Sequence, residues 1–83
     1  MRTLTLYHRS GCHLCSDMRS ELLEFQSELD FRLHEIDIDL DRDLRTRFGF
    51  LIPVLCLGEQ EICHYHLDPT ALRAALAQPA EAG

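Results

Sequence analysis

Cys12 and Cys15 are separated by two residues, directly follow an alternating apolar run, Leu4-Thr5-Leu6-Tyr7, and open a segment with helical periodicity. A Cys-x-x-Cys pair at the point where a strand gives way to a helix is suited to redox exchange. The first thiol lies at the helix N-terminus, where unpaired backbone N–H groups and the helix dipole favour a negative charge, and so favour thiolate over thiol. Only the thiolate attacks a disulfide. The second cysteine lies one turn inward, close enough to form a disulfide with the first and to resolve a mixed disulfide formed there. His13 adjoins Cys12. Protonated, it would stabilise the thiolate further and move the pair toward an oxidising potential; as an exposed residue at the first helical position it would do nothing, and sequence leaves both readings open.

The remaining thiols, Cys56 and Cys63, lie on the two arms of a hairpin. With Gly58-Glu59 as a two-residue turn, Val54 faces Cys63 and Cys56 faces Glu61, which makes the two cysteines diagonal neighbours on one face. A diagonal disulfide would be strained, so free thiols packed as small hydrophobes are expected. A different class of site is also conceivable. Cys12, Cys15, Cys63, His64 and His66 are ligand types for zinc or an iron–sulfur cluster. Against it, alternate residues of one strand project to opposite faces, so His64 and His66 converge only where the strand has ended.

The elements that must position these residues follow from periodicity. Arg2 to His8 alternates, with Leu4 and Leu6 on one face and Thr3, Thr5 and Tyr7 on the other, as in a half-buried strand. Tyr7 either edges a substrate groove or packs under the helix. Arg9-Ser10-Gly11 forms the turn. From His13 to Leu29, Cys15, Met18, Leu22, Phe25 and Leu29 recur at helical spacing, so Cys15 begins a buried stripe. Phe31 to Asp39 reads as a second strand, but Phe31 and Leu33 have one parity and Ile36 and Ile38 the other, which predicts a bulge or a shorter strand. Asp39 or Asp41 caps a short helix with Leu40, Leu44 and Phe48 on one face and Gly49 as its stop. Ile52 to Leu57 is a third strand with Pro53 at its start, Gln60 to His64 pairs back as a fourth, and Asp68-Pro69 starts a last helix with Leu72, Ala75 and Leu76 inside. The order is β-α-β-α-β-β-α. A right-handed parallel crossover and an antiparallel hairpin then give an α/β fold, a four-stranded mixed sheet with helices on both faces. One domain over residues 1–78 is expected, with a frayed tail at 79–83.

Composition narrows the function classes. Of 83 residues 46% are hydrophobic and 27% charged, an ordinary globular balance. All eight cations are arginines, against fourteen acids, and the net charge of −6 argues against a phosphate-backbone partner. No signal-like start and no membrane-length apolar run is visible, so neither nucleic acid nor membrane is expected as a partner, and a reducing cytoplasm is the expected compartment. The same features disfavour a secreted disulfide framework.

These features together resemble the glutaredoxin and thioredoxin superfamily, and most closely the small glutaredoxin-like proteins that carry Cys-His-Leu-Cys after the first strand. The resemblance runs from Leu4 to Leu76 and rests on Cys12-x-x-Cys15 combined with the distant Ile52-Pro53. It implies a thioredoxin-like fold, Cys12 as nucleophile and Cys15 as resolving thiol. It also implies a cis Ile52–Pro53 bond beside the dithiol, with the Ile52 backbone free to pair with a substrate peptide. Arg9 stands where glutaredoxins often carry a lysine that meets glutathione and lowers the thiol pKa. Two positions depart from the pattern. His13 replaces a frequent proline, and Cys63-His64-Tyr65-His66 occupies the region where glutathione-binding members have a glycine pair followed by an aspartate; Asp68 is better explained as a helix cap. The implied activity is thiol–disulfide exchange on a disulfide-bearing protein or glutathione adduct. No cofactor is expected to be tightly bound, and glutathione or another thiol reductant or reductase would restore the dithiol. A zinc or iron–sulfur protein and a non-catalytic binding module of the same fold are the alternatives.

Overall fold

A computed structural model of the chain describes residues 1–78; the tail expected at 79–83 lies outside the described residues. Strand β1 (Arg2–His8) leads into helix α1 (His13–Phe25), strand β2 (Phe31–Asp37), a 3₁₀ turn (Ile38–Leu40) and helix α2 (Arg42–Phe48). Strands β3 (Val54–Leu57) and β4 (Gln60–His64) and helix α3 (Pro69–Ala77) complete the chain. The sheet order is β2-β1-β3-β4, with β1 and β2 parallel and the other two pairings antiparallel. This is the four-stranded mixed α/β sheet that the order of elements implied, in the thioredoxin-like arrangement that the family resemblance implied. Among the described residues no helix is long and apolar enough to cross a membrane.

Strand alternation divides the core in two. Leu4 and Leu6 of β1, Phe31 of β2 and Leu55 of β3 point to the side covered by Met18 and Leu22 of α1 and Leu72 of α3. Val54 and Cys56 point the other way, to Ile38 and Phe48, and Tyr7 packs there too, stacked on Phe48 at 4.5 Å between centroids. Tyr7 is thus a packing residue of the α2 side. Successive strand residues face opposite layers, so each pair of positions contributes to both layers.

Local signals account for the element ends. Asp41 and Asp68 cap α2 and α3 through side-chain oxygens that accept backbone N–H groups, and Pro69 fills the first position of α3. Helix α1 stops at Phe25, short of the expected Leu29, although Leu29 still packs against the α1 layer. Strand β2 runs in unbroken register with β1 to Asp37 and then leaves the sheet, which is how Ile38 reaches the α2 layer without a bulge. Leu40 departs from expectation. It lies in the 3₁₀ turn, separated from α2 by the extended Asp41, so it falls out of helical phase with Leu44 and Phe48 and is 86% exposed.

The hairpin pairs Leu55 with Cys63 and Cys56 with Glu61, leaving Ile62 as an extra residue in β4. That bulge rotates Cys63 onto the α1 and α3 side while Cys56 stays on the α2 side. The two thiols therefore lie on opposite faces of the sheet, not diagonally on one, because the register slips by one residue between them. Both are free, as expected.

Candidate active site

Gly11, at φ +78°, turns the chain out of β1 so that Cys12 becomes the N-cap of α1. The Cys12 Sγ accepts the Cys15 backbone N–H at 3.1 Å, one of the amides that a helix start leaves without an internal partner. No acidic side chain occupies the first turn of α1, so the sulfur is the group that the dipole acts on. Cys12 and Cys15 are joined as a disulfide with Cα atoms 5.2 Å apart. Their exposure differs: Cys12 is half-buried, while Cys15 is 4% exposed and heads the stripe that continues in Met18 and Leu22.

Beside the pair lies an open cavity of about 280 Å³, bounded by His8 and Arg9 at the end of β1, by Cys12, Cys15 and Arg19, and by Glu35 of β2. Arg9 Nε donates to both Asp39 oxygens, at 3.0 and 3.1 Å, so its charge reaches the site already shared with a carboxylate. Arg19 Nε donates to Glu35 at 2.7 Å across the cavity wall. His8, Arg19 and Glu35 went unnoticed in the sequence. A signal existed for His8, which has the parity of Leu4 and Leu6, and for Arg19, one turn beyond Cys15.

Of the other anticipated site residues, His13 is in solvent, its side chain 88% exposed with Nε2 3.4 Å from Asp17 Oδ2. Ile52 and Pro53 do not line the cavity. They lie at the same end of the sheet, next to the Tyr7–Val54 pair. The Ile52–Pro53 bond is cis, and Pro53 is fully buried. The Ile52 backbone is not free as expected. Its N–H donates to the Phe48 carbonyl at 3.1 Å, because the chain leaving α2 closes one more turn before β3. The Pro53 carbonyl accepts the Tyr65 N–H at 2.9 Å, and the Tyr65 hydroxyl donates to the Phe50 carbonyl at 2.7 Å. These bonds hold Tyr65 at φ +64°, a conformation that non-glycine residues seldom adopt.

Burial pushes the Cys56 thiol up from its ordinary value, with Glu61 adding to the effect. Burial likewise raises Cys63. The metal-ligand set considered from sequence is not assembled. Cys12 and Cys15 bond each other, Cys63 packs beside the α1 layer, His64 is held at 2.9 Å by Glu61, and no group of three metal-ligand side chains occurs among the described residues.

The glutaredoxin-like domain (DUF836) matches residues 3–77. The chain belongs to this glutaredoxin-like family. Relatives of the glutaredoxin-like chain include the proteins Mb0520 of Mycobacterium bovis and Rv0508 of Mycobacterium tuberculosis, each 35% identical, with alignments covering 88% of this chain and 80% of theirs. Among solved structures, protein Ne2328 from Nitrosomonas europaea superposes with a TM-score of 0.82 at 38% identity, covering 92% of both chains. Mitochondrial thioredoxin 3 from Saccharomyces cerevisiae, in its oxidised form, matches at 23% identity and a TM-score of 0.60, over 90% of this chain and 76% of its own, which speaks for the fold alone.

Proposed function

We propose that this glutaredoxin-like chain is a thiol–disulfide oxidoreductase with Cys12 as nucleophile and Cys15 as resolving thiol. The observation that carries this reading is the position of the Cys12 sulfur. It caps α1, accepts the Cys15 N–H at 3.1 Å, remains accessible, and lies within bonding reach of a buried partner. The Cys12 thiolate attacks one sulfur of a substrate disulfide, a mixed disulfide forms, and the other substrate sulfur leaves with the electron pair and takes a proton from solvent. Cys15 then attacks the Cys12 sulfur, the Cys12–substrate bond breaks, and the substrate departs reduced by two electrons while the pair is oxidised to the disulfide. A thiol reductant, either glutathione or a reductase, restores the dithiol, and the cytoplasm is the compartment whose redox poise suits that cycle.

The substrates in this reading are protein disulfides or glutathione adducts. Arg9 contributes a positive edge weakened by Asp39, and His13 acts on the site only through solvent. Pro53 lies buried at the same end of the sheet as the dithiol, and Ile52, with its N–H occupied, offers a substrate strand its carbonyl only. The test is substitution. Cys12→Ser abolishes reduction of a glutathionylated or disulfide-bonded substrate, and Cys15→Ser accumulates a mixed disulfide at Cys12 visible by mass spectrometry. Full turnover in both variants refutes the assignment.

A further inference from the structure

The resolving step poses a problem that the dithiol does not itself solve. Cys12 has the helix start to favour its thiolate, but Cys15 is 4% exposed in an apolar stripe with Met18 and Leu22, where burial favours the protonated thiol. A thiol is a poor nucleophile, so the Cys15 proton needs an acceptor at the moment of resolution.

The groups around the cavity that holds both sulfurs can be taken in turn. Arg9 and Arg19 are donors only. The Glu35 carboxylate is paired with a cation, its Oε1 accepting the Arg19 Nε–H at 2.7 Å. Asp37, the neighbour of His8 across the β1–β2 register, has its Oδ1 on the Asp39 N–H at 2.9 Å, and Asp39 itself holds Arg9. On α1, Asp17 is turned to the exposed His13. His8 remains. It is half-buried, lines the cavity with Cys12 and Cys15, shares the strand face of Leu4 and Leu6 beneath α1, and makes no side-chain hydrogen bond among the described residues. Imidazole is also the side chain that exchanges a proton near neutral pH.

We infer that His8 is the general base of the resolving step, an assignment that rests on the oxidoreductase reading. Neutral His8 takes the proton from the Cys15 thiol. The resulting thiolate attacks the Cys12 sulfur of the mixed disulfide, the Cys12–Cys15 bond forms, and the substrate sulfur leaves with the electron pair. The imidazolium gives its proton to that leaving thiolate, directly or through water, so the base is regenerated and the dithiol alone supplies the two electrons.

Reduced protein is mixed with the aromatic disulfide dithiobis-nitrobenzoate, and the coloured thiolate is followed in time. The first release reports attack by Cys12 and scales with reagent. The second reports displacement by Cys15 and is independent of reagent concentration, which separates it from any reaction of Cys56 or Cys63. His8→Asn slows the second release by roughly a hundred-fold or more near neutral pH and moves its pH profile to the alkaline side, while the first release stays within about two-fold. Imidazole added to His8→Ala restores the second release. An unchanged second release in His8→Asn, or a slowing seen in Glu35→Gln instead, overturns the assignment alone. Absence of the first release in the wild-type protein overturns the oxidoreductase reading and the assignment with it.

Discussion

Cys12 offers its sulfur to a backbone N–H at the start of α1, whereas Cys56 lies in the apolar layer between the sheet and α2 and Cys63 packs on the opposite layer. The same functional group thus meets a field that favours its anion in one place and burial that opposes it in the others. Iodoacetamide at neutral pH should accordingly modify the reduced protein first at Cys12, with adducts at Cys56 and Cys63 appearing only under alkaline or unfolding conditions, as peptide mapping will read. Equal rates at the three sites would remove the basis for calling Cys12 the nucleophile. A pH effect on stability follows from the buried Cys56 and the half-buried Cys63. Burial raises both above the ordinary 9.0, so the folded chain keeps their protons at pH values where the unfolded chain releases them. Their contribution is complete below pH 9.0 and is lost as pH climbs through the folded-state values. The urea midpoint of the reduced protein should therefore hold steady from neutral pH to about 9 and fall beyond it, and Cys56→Ala combined with Cys63→Ala should shrink that fall.

Elements deliver those residues, and the joint between β1 and α1 matters most. Gly11 sits in the left-handed region at φ +78°, with nothing within 4 Å of where a Cβ would project. Gly11→Ala should therefore cost about 1–2 kcal/mol through backbone conformation and not through crowding. Thermal melting should show it as a lowered midpoint, and an unchanged melt would mean that the turn relaxes freely. The dithiol joint was legible in the sequence because everything that makes it is local: an alternating strand, a glycine, and cysteines at the spacing of one helical turn. The cap at Asp68 was legible for the same reason, and the cap at Asp41 was one of two candidates with Asp39. What escaped depends on how distant segments meet. The extra residue Ile62 carries no turn or proline signal, yet it moves Cys63 to the other face. The Phe48 carbonyl that occupies the Ile52 N–H belongs to a turn that only the approach of α2 to β3 creates. Tyr65 adopts a backbone conformation that its own side chain disfavours, held there by bonds to Phe50 and Pro53. The cavity needed Glu35 of β2 brought against Arg19 of α1, a pairing over sixteen residues that no periodicity encodes.

At the scale of the whole molecule, 83 residues must cover both faces of one sheet, so neither apolar layer has material to spare. The α1 and α3 layer is the more continuous, with Leu4, Leu22 and Leu72 each at 0% exposure, and Leu22 is locked between the helix and the sheet. Truncating it removes buried methyl groups that surrounding residues cannot replace, so Leu22→Ala should cost about 2–5 kcal/mol. That is a large share of the roughly 5–15 kcal/mol that holds a domain of this kind together. Leu40 is the contrasting case: the same side chain, placed inside by helical periodicity but left 86% exposed by the break at Asp41. Leu40→Ala should fall within about 0.5 kcal/mol of the parent. Urea denaturation of the two variants in parallel tests the layering directly, since both delete the same atoms. A large loss in Leu40→Ala would put that residue in the α2 layer, and a negligible loss in Leu22→Ala would mean that α1 does not seal the sheet beneath the dithiol.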